Sequence, residues 1–188
     1  MDLSLHQSDV ILLAETWIPV NDSHSNKYKL KNYNSHLNNQ GRGKGLAVYY
    51  KKEFAHVIDV NKENFAITKV GSEDIEIICI YRSQDGNMSH IIENLRSLIN
   101  WSTTTIVIGD INICNKDKPD NEMKKILTDR EFKLVISAPT HILGGHIDHA
   151  YILNVGNYVE SPIVEIIPKY YSDHDAICIA WRKINLSN

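Results

Sequence analysis

Residues 104–112 read TTIVIGDIN. Five β-branched residues in succession, Thr104 to Ile108, favour an extended strand over a helix. Such a run is built for burial. The run then stops at Gly109, Asp110 and Asn112. Gly-Asp is ordinary turn chemistry, so this ending alone reads equally well as a strand stopping at a turn.

Working outward, most of the chain has the same texture. Apolar or alternating runs fall at 10–14 (VILLA), 45–50 (GLAVYY), 65–70 (FAITKV), 75–81 (IEIICIY), 104–109, 133–136 (KLVI), 147–153 (IDHAYIL), 158–167 (YVESPIVEII) and 176–182 (AICIAWR). Helical spacing marks 89–101, where Ile91, Ile92, Leu95, Leu98 and Ile99 share a face and Ser89 is a plausible N-cap. Met123, Ile126 and Leu127 suggest a weaker helix over 120–130, and residues 2–8 a short one. Nine strands with two or three interspersed helices predict an α+β architecture of two packed sheets with helices on the outer faces. No repeat, low-complexity stretch or linker interrupts it, so residues 1–188 read as a single domain.

A composition of 43% hydrophobic and 23% charged residues suits a globular core. No window approaches the ~18 apolar residues that span a bilayer. The N-terminus lacks the basic flank of a secretory signal. Cys79, Cys114 and Cys178 have neither CxxC nor zinc-ligand spacing, and read as buried free thiols in a reducing compartment. The sequons at Asn21, Asn87, Asn100 and Asn185 are then accidental. A net charge of −3 excludes a wholly basic nucleic-acid binder. Between Ser23 and Lys52, however, Lys27, Lys29, Lys31, Arg42, Lys44, Lys51 and Lys52 meet no acidic residue. That run is either a phosphate-facing surface or a solvated face.

Polar groups recur at strand ends: Glu15 after VILLA, Tyr81 after IEIICI, Asp110 and Asn112 after TTIVIG, Asp148 and His149 at the start of IDHAYIL, and Ser172-Asp173-His174 before AICIAW. Strand ends hold such groups rigidly, which is how many folds build a site. Glu15, Asp110, Asn112, Asp148 and Asp173 form an oxygen-rich set suited to Mg²⁺ with water and phosphate oxygens. A His and a Tyr nearby can hydrogen-bond a phosphate. No HExxH and no cysteine pattern points to zinc. A triad from Ser172, Asp148 and His174 lacks the GxSxG elbow. Each residue keeps a plainer reading: Tyr81 as a half-buried aromatic, Asp148 as a turn cap after Gly144-Gly145, Trp17 as packing. His141, His146 and His149 read as structural or surface residues. GRGKG at 41–45 is a flexible basic loop without P-loop spacing.

ILLAETW, IYRS, IVIGDIN, THILGGHIDH and YYSDHDAICIAW, in this order from about Val10 to Trp181, resemble the endonuclease/exonuclease/phosphatase superfamily. The motif order is similar to that of apurinic endonucleases, DNase I and the endonuclease domains of non-LTR retrotransposons and animal Helitrons. GRGKGLAVYYKKEF and THILGGHIDH look most like the mobile-element branch. The resemblance implies a DNase I-like four-layer α/β/β/α sandwich. It implies Glu15 as the Mg²⁺ ligand, with Mn²⁺ as a substitute and Asp173 assisting. Asp110 orients or deprotonates the attacking water and Asn112 fixes it. His174 stabilises the transition state, Asp148 orients His174, and Tyr81 donates to a phosphate oxygen. Thr140, Ser172, Arg42 and Lys44 are candidate substrate-binding residues. Family members begin with a strand carrying an asparagine, where this sequence reads MDLSLHQSDV, so an N-terminally truncated domain lacking that strand is expected.

The resulting expectation is a Mg²⁺-dependent phosphodiester hydrolase that nicks DNA for a mobile element, acts in the nucleus, and is fused to or works with a reverse transcriptase or helicase. Oligomeric state is unreadable. The alternatives are a silent or truncated member that binds nucleic acid or protein, and a phosphatase on a small phosphoester.

Overall fold

A strand apolar at every position must be covered on both faces, and the computed structural model shows what covers it. Residues 7–22, 26–38, 41, 43–114, 121–136, 138–155, 162–170 and 172–181 are described. The strands run β1 (Val10–Ala14), β2 (Asn34–Asn38), β3 (Leu46–Tyr50), β4 (Ala55–Lys62), β5 (Phe65–Gly71), β6 (Ile75–Arg82), β7 (Thr104–Asp110), β8 (Lys133–Leu134), β9 (Asp148–Leu153), β10 (Ile163–Ile167) and β11 (Ala176–Ala180). Two α-helices are described, α1 (Met88–Leu98) and α2 (Glu122–Thr128).

Strand β7 is central to a six-stranded sheet of order β4-β5-β6-β7-β9-β8. On one face both helices bury Ile91, Ile92, Leu95, Met123 and Leu127 against Ile67, Ile78, Ile80, Val107 and Tyr151. On the other, Ile77, Cys79, Tyr81, Ile106 and Ile152 meet Leu46, Val48 and Tyr50 of β3. This second layer contains β1-β3-β2 and β10-β11, which are separate hydrogen-bonded sheets among the described residues. The result is an α+β sandwich. Its outer face, with Ile11, Ala47 and Tyr49, is packed by Leu30, Tyr33 and Leu37. Where an outer helical layer was expected there, the described segments are 3₁₀ turns at Val20–Asp22 and Asn26–Tyr28.

Local chemistry sets the element ends. Asn87, not Ser89, caps α1, its Oδ1 accepting from the backbone N–H of Ser89 (2.9 Å) and His90 (3.4 Å). Asn121 caps α2 in the same way through Lys124. Lys69 is buried, yet its Nζ lies 2.8 Å from Glu76 and donates to the Leu98 carbonyl at 2.8 Å, satisfying the C-terminus of α1. Cys79 is fully buried, and burial pushes its thiol up to about 12. Cys114 and Cys178 are only partly covered, a correction to the expectation of buried thiols. The expected helix at 2–8 and the start of the 158–167 strand fall outside the described residues except at their edges. No helix among the described residues is long and apolar enough to cross a membrane.

Candidate active site

Register lines up the first three functional groups. β6 and β7 are parallel, which places Tyr81 beside Asp110. β9 returns antiparallel, which places Asp148 beside Asp110 on the other side. Register neighbours project from the same face, so Tyr81, Asp110 and Asp148 form one row at one end of the sheet, on the face that meets the second layer. The close approach has a local cause in Gly109. Any Cβ there would stand 1.7 Å from the Ile80 carbonyl oxygen, so only glycine lets β7 run this near to β6.

The second layer brings the other groups over this row from its own strand ends. Glu15 leaves β1 with φ 50° and accepts from Tyr81 Oη at 3.3 Å. The same hydroxyl lies 3.0 Å from the Gly43 carbonyl, and its single proton serves one partner at a time. His174 enters just before β11 and holds Asp148 Oδ2 through Nδ1 at 2.9 Å. One donor atom each from Asp110, Asp148 and His174 lie within 4.8 Å of one another.

Asp110 is 2% exposed. One carboxylate oxygen accepts the Asn112 backbone N–H at 3.0 Å and the other the Asn112 Nδ2 at 3.2 Å. Nδ2 also donates to the Arg82 carbonyl at 2.8 Å. Asn112 takes φ 53°, a left-handed conformation that asparagine tolerates better than most residues. Burial pushes Asp110 up to about 7; the nearby charges of Asp148 and Glu15 add to this, while His174 and the Asn112 N–H oppose it. His174 is driven up to about 9, chiefly by its bond to Asp148 and against its own desolvation. Burial raises Tyr81, with the charges of Glu15 and Asp110 adding to the shift. The site therefore holds a carboxylate whose proton is poised near neutrality beside a protonated imidazole.

Other predicted residues sit less centrally. Thr140 is fully buried, so it cannot face a phosphate; its Oγ1 accepts the Asp148 backbone N–H at 3.4 Å and its carbonyl accepts the Asp175 N–H at 2.7 Å. Ser172 Oγ is bound to the His174 backbone N–H at 3.0 Å, closing a turn. Asp173 is 70% exposed at its side chain and lies 3.7 Å from His141 Nε2, outside the Asp110 group. Lys44 reaches Asn64 Oδ1 at 2.9 Å. Arg42 lies outside the described residues. Nor is the basic run one free surface, since Lys27 pairs with Asp22 and Lys51 with Asp9 at 2.9 Å.

Some readings change. Trp17 is 54% exposed rather than packed, with φ 56°, and its indole lies against Gly43. Asp148 is no turn cap, because its carboxylate is committed to His174. His149 is structural as expected, its Nε2 bound to the Ile113 carbonyl at 2.8 Å. His141, read as a structural or surface residue, lies beside the site: it bridges the backbone of His174, and the two rings meet edge to face at 5.1 Å. Arg82 was passed over inside IYRS. Its guanidinium donates to the carbonyls of Gly86, Ile111 and Gln84, clamping the chain that carries Asp110 and Asn112. An arginine ending a buried strand was the available signal.

The donor set fits a hard divalent cation. Three carboxylates crowd a site in which one carboxyl is held up to about 7 by burial and its acidic neighbours, the electrostatic deficit a cation relieves. Glu15, exposed and carrying a second oxygen beyond the one facing Tyr81, could hold such a cation together with Asp148 and Asp110.

No protein-family profile and no curated protein sequence matches this chain. Solved structures do. The endonuclease domain of TRAS1, a telomere-specific non-LTR retrotransposon, aligns with TM-score 0.63 at 13% identity over 93% of this chain and 85% of that one. An AP endonuclease from Archaeoglobus fulgidus aligns with TM-score 0.65 at 14% identity, covering 95% and 91%. D. rerio TDP2 complexed with a single-strand DNA product aligns with TM-score 0.62 at 12% identity, covering 96% and 88%. At these identities the likeness is one of fold. The chain has the DNase I-like fold of the endonuclease/exonuclease/phosphatase proteins.

Proposed function

We propose that a chain with this fold and this cluster of groups is a divalent-metal-dependent phosphodiester hydrolase that nicks DNA. One observation carries the reading: Asp110, Asp148 and His174, from three separate parts of the chain, present donor atoms within 4.8 Å of one another. Mg²⁺ is the proposed cation, held by Glu15 with water and phosphate oxygens, and it supplies charge neutralisation of the phosphate. Asp110 takes the proton of the attacking water, a role suited to a carboxylate titrating near neutrality. Asn112 fixes Asp110 through both of its oxygens. His174 gives Nδ1–H to Asp148, which leaves Nε2–H to stabilise charge on the phosphoryl oxygens. Tyr81 orients Glu15 rather than the phosphate directly. In-line attack then leaves a 5′-phosphate and a 3′-hydroxyl, following the resemblance.

Residues 1–188 are proposed to form one endonuclease-like unit. The mobile-element role rests on the sequence resemblance and on the TRAS1 likeness. DNA as substrate draws on TDP2, solved with a DNA product. Nuclear action and a reverse-transcriptase or helicase partner are proposals of the same resemblance.

The test is nicking of supercoiled plasmid in Mg²⁺ or EDTA, beside Asp110→Ala and a small phosphomonoester. Mg²⁺-dependent nicking that vanishes in the variant supports the reading. Turnover of the monoester alone assigns a phosphatase. A folded chain that retains plasmid without cutting it assigns a silent binding domain.

A further inference from the structure

A second constellation lies at the far edge of the six-stranded sheet. β4 is its edge strand, paired antiparallel to β5, and the register slips between His56 and Ile58 so that Val57 is an extra residue. In a regular strand, positions 56 and 59 face opposite sides. The bulge cancels one step of that alternation and turns His56 and Asp59 to the same side. His36, from β2 of the second layer, meets them there.

The geometry is convergent. Nε2 of His36 lies 2.5 Å and Nε2 of His56 2.8 Å from the same oxygen, Asp59 Oδ2. The imidazoles stack with centroids 4.4 Å apart and planes 10° from parallel. The other carboxylate oxygen is fixed by the fully buried Thr68, whose Oγ1 donates at 2.8 Å from the cross-strand position. Two imidazole nitrogens and one carboxylate oxygen thus lie within 4.8 Å of one another, with a buried hydroxyl orienting the carboxylate from behind. Side-chain exposures of 32%, 31% and 22% leave one direction open to water.

We propose that His36, His56 and Asp59 form a Zn²⁺ site with an open fourth position, which staples the three-stranded sheet to the edge of the six-stranded sheet. Imidazole with one carboxylate is a zinc-type donor set, and tetrahedral Zn²⁺ with bonds near 2.0–2.2 Å places its ligand atoms roughly 3.3 Å apart. For the metal to replace the ring protons, the two Nε2–Oδ2 pairs open by part of an ångström and the stacked rings turn out of parallel, so that both Nε2 lone pairs converge on one point. The water that fills the open direction completes four ligands. Thr68 then has the role of the outer hydrogen bonds that orient ligating carboxylates. The site shares no residue with the proposed hydrolytic cluster and does not depend on it.

The test is titration of the metal-free full chain with Co²⁺, read by its visible d–d bands, followed by displacement with Zn²⁺. The wild type, His56→Gln, Thr68→Val and His174→Gln are compared, with folding checked by circular dichroism. Four-coordinate bands are expected in the wild type and in His174→Gln, and are lost in His56→Gln. Thr68→Val leaves every ligand in place and is expected to weaken binding about 10–100-fold. Zn²⁺ is expected to raise the unfolding midpoint of the wild type and not that of His56→Gln. The proposal is overturned by bands that persist unchanged in folded His56→Gln, by bands that disappear only in His174→Gln, or by a folded wild type that takes up neither metal.

Discussion

Gly109→Ala tests the link between the sheet and the site. An alanine Cβ would stand 1.7 Å from the Ile80 oxygen, 2.7 Å from its carbonyl carbon and 2.9 Å from its nitrogen. Ordinary contact begins near 3.5 Å, so β6 and β7 must part by roughly 1.5 Å at this point. That costs about two ladder hydrogen bonds at about 1 kcal/mol each, and the φ of 156° adds about 1–3 kcal/mol for a residue with a side chain. The expected loss is about 3–5 kcal/mol out of the 5–15 typical of a domain. With a urea m-value of about 2 kcal/mol/M, the midpoint falls by roughly 1.5–2.5 M. The folded fraction should also nick about 100-fold more slowly, because Tyr81 and Asp110 lose their register. Gly144→Ala is the control, since nothing lies within 4 Å of its Cβ and only its φ of 80° is penalised. A loss under about 1 kcal/mol in Gly109→Ala, with normal nicking, would refute the close-approach argument.

The remaining expectations are shorter. His174 is held up to about 9 by Asp148, so the folded state keeps a proton that the unfolded chain releases above about 6.5. Its stabilisation is therefore complete below that pH and is lost as pH rises through about 9. In EDTA the wild type should lose about 1–3 kcal/mol more than Asp148→Asn across that window, since solvent at a ring one-quarter exposed screens part of the interaction. An equal loss in both proteins would remove Asp148 as the cause. Asp110 runs oppositely in function and stability: its carboxyl is raised to about 7, so ionising it costs stability between the unfolded value near 3.8 and that pH. Asp110→Asn removes this cost but turns an amide donor toward a donor of Asn112, so its stability relative to wild type, both metal-free, should be about 1–3 kcal/mol better at pH 8 than at pH 4, while nicking is abolished. Denaturation at pH 8 and pH 4 measures it, and an equal relative stability at the two pH values would contradict the electrostatic account. Leu143 is 86% exposed on the loop that carries His141, so Leu143→Ser should raise KM several-fold with kcat nearly unchanged if that loop meets DNA. A change confined to kcat would place the loop in the chemistry instead.

Much of this fold is legible because burial on both faces leaves uninterrupted apolar runs, as in β6 and β7. The two strands that sequence patterns miss are β2, NSHLN, and β4, AHVIDVNK. Both lie at sheet edges; β4 is mostly exposed, β2 carries polar residues at four of its five positions, and the bulge at Val57 breaks the alternation that would betray β4. In the candidate site, Glu15, Tyr81, Asp110, Asp148 and His174 are legible as polar groups at strand ends because each hangs on an element with a strong pattern, and the structure brings them together. Orientation is another matter. Whether Thr140 faces substrate or props the backbone of Asp148 depends on a turn whose shape no periodicity encodes. The exposure of Trp17 depends on left-handed backbone at Glu15 and at Trp17 itself, which neither residue type advertises.

The row of groups that β6, β7 and β9 lay down remains chemically mute until the second layer arrives above it. Glu15 comes from near one end of the sequence and His174 from near the other, while the pair that fixes the floor, Gly109 and Ile80, is joined through a parallel crossover. Parallel pairing and long-range closure form slowly and late in folding. At 5–20 residues per second, a ribosome spends on the order of ten seconds or more between the two ends of the site. A nascent or proteolysed chain that stops short of His174 therefore carries most of the sheet and an incomplete cluster. Under the proposed function, such a chain would lack hydrolytic activity, and the site would be assembled only once both distant ends of the sequence have met.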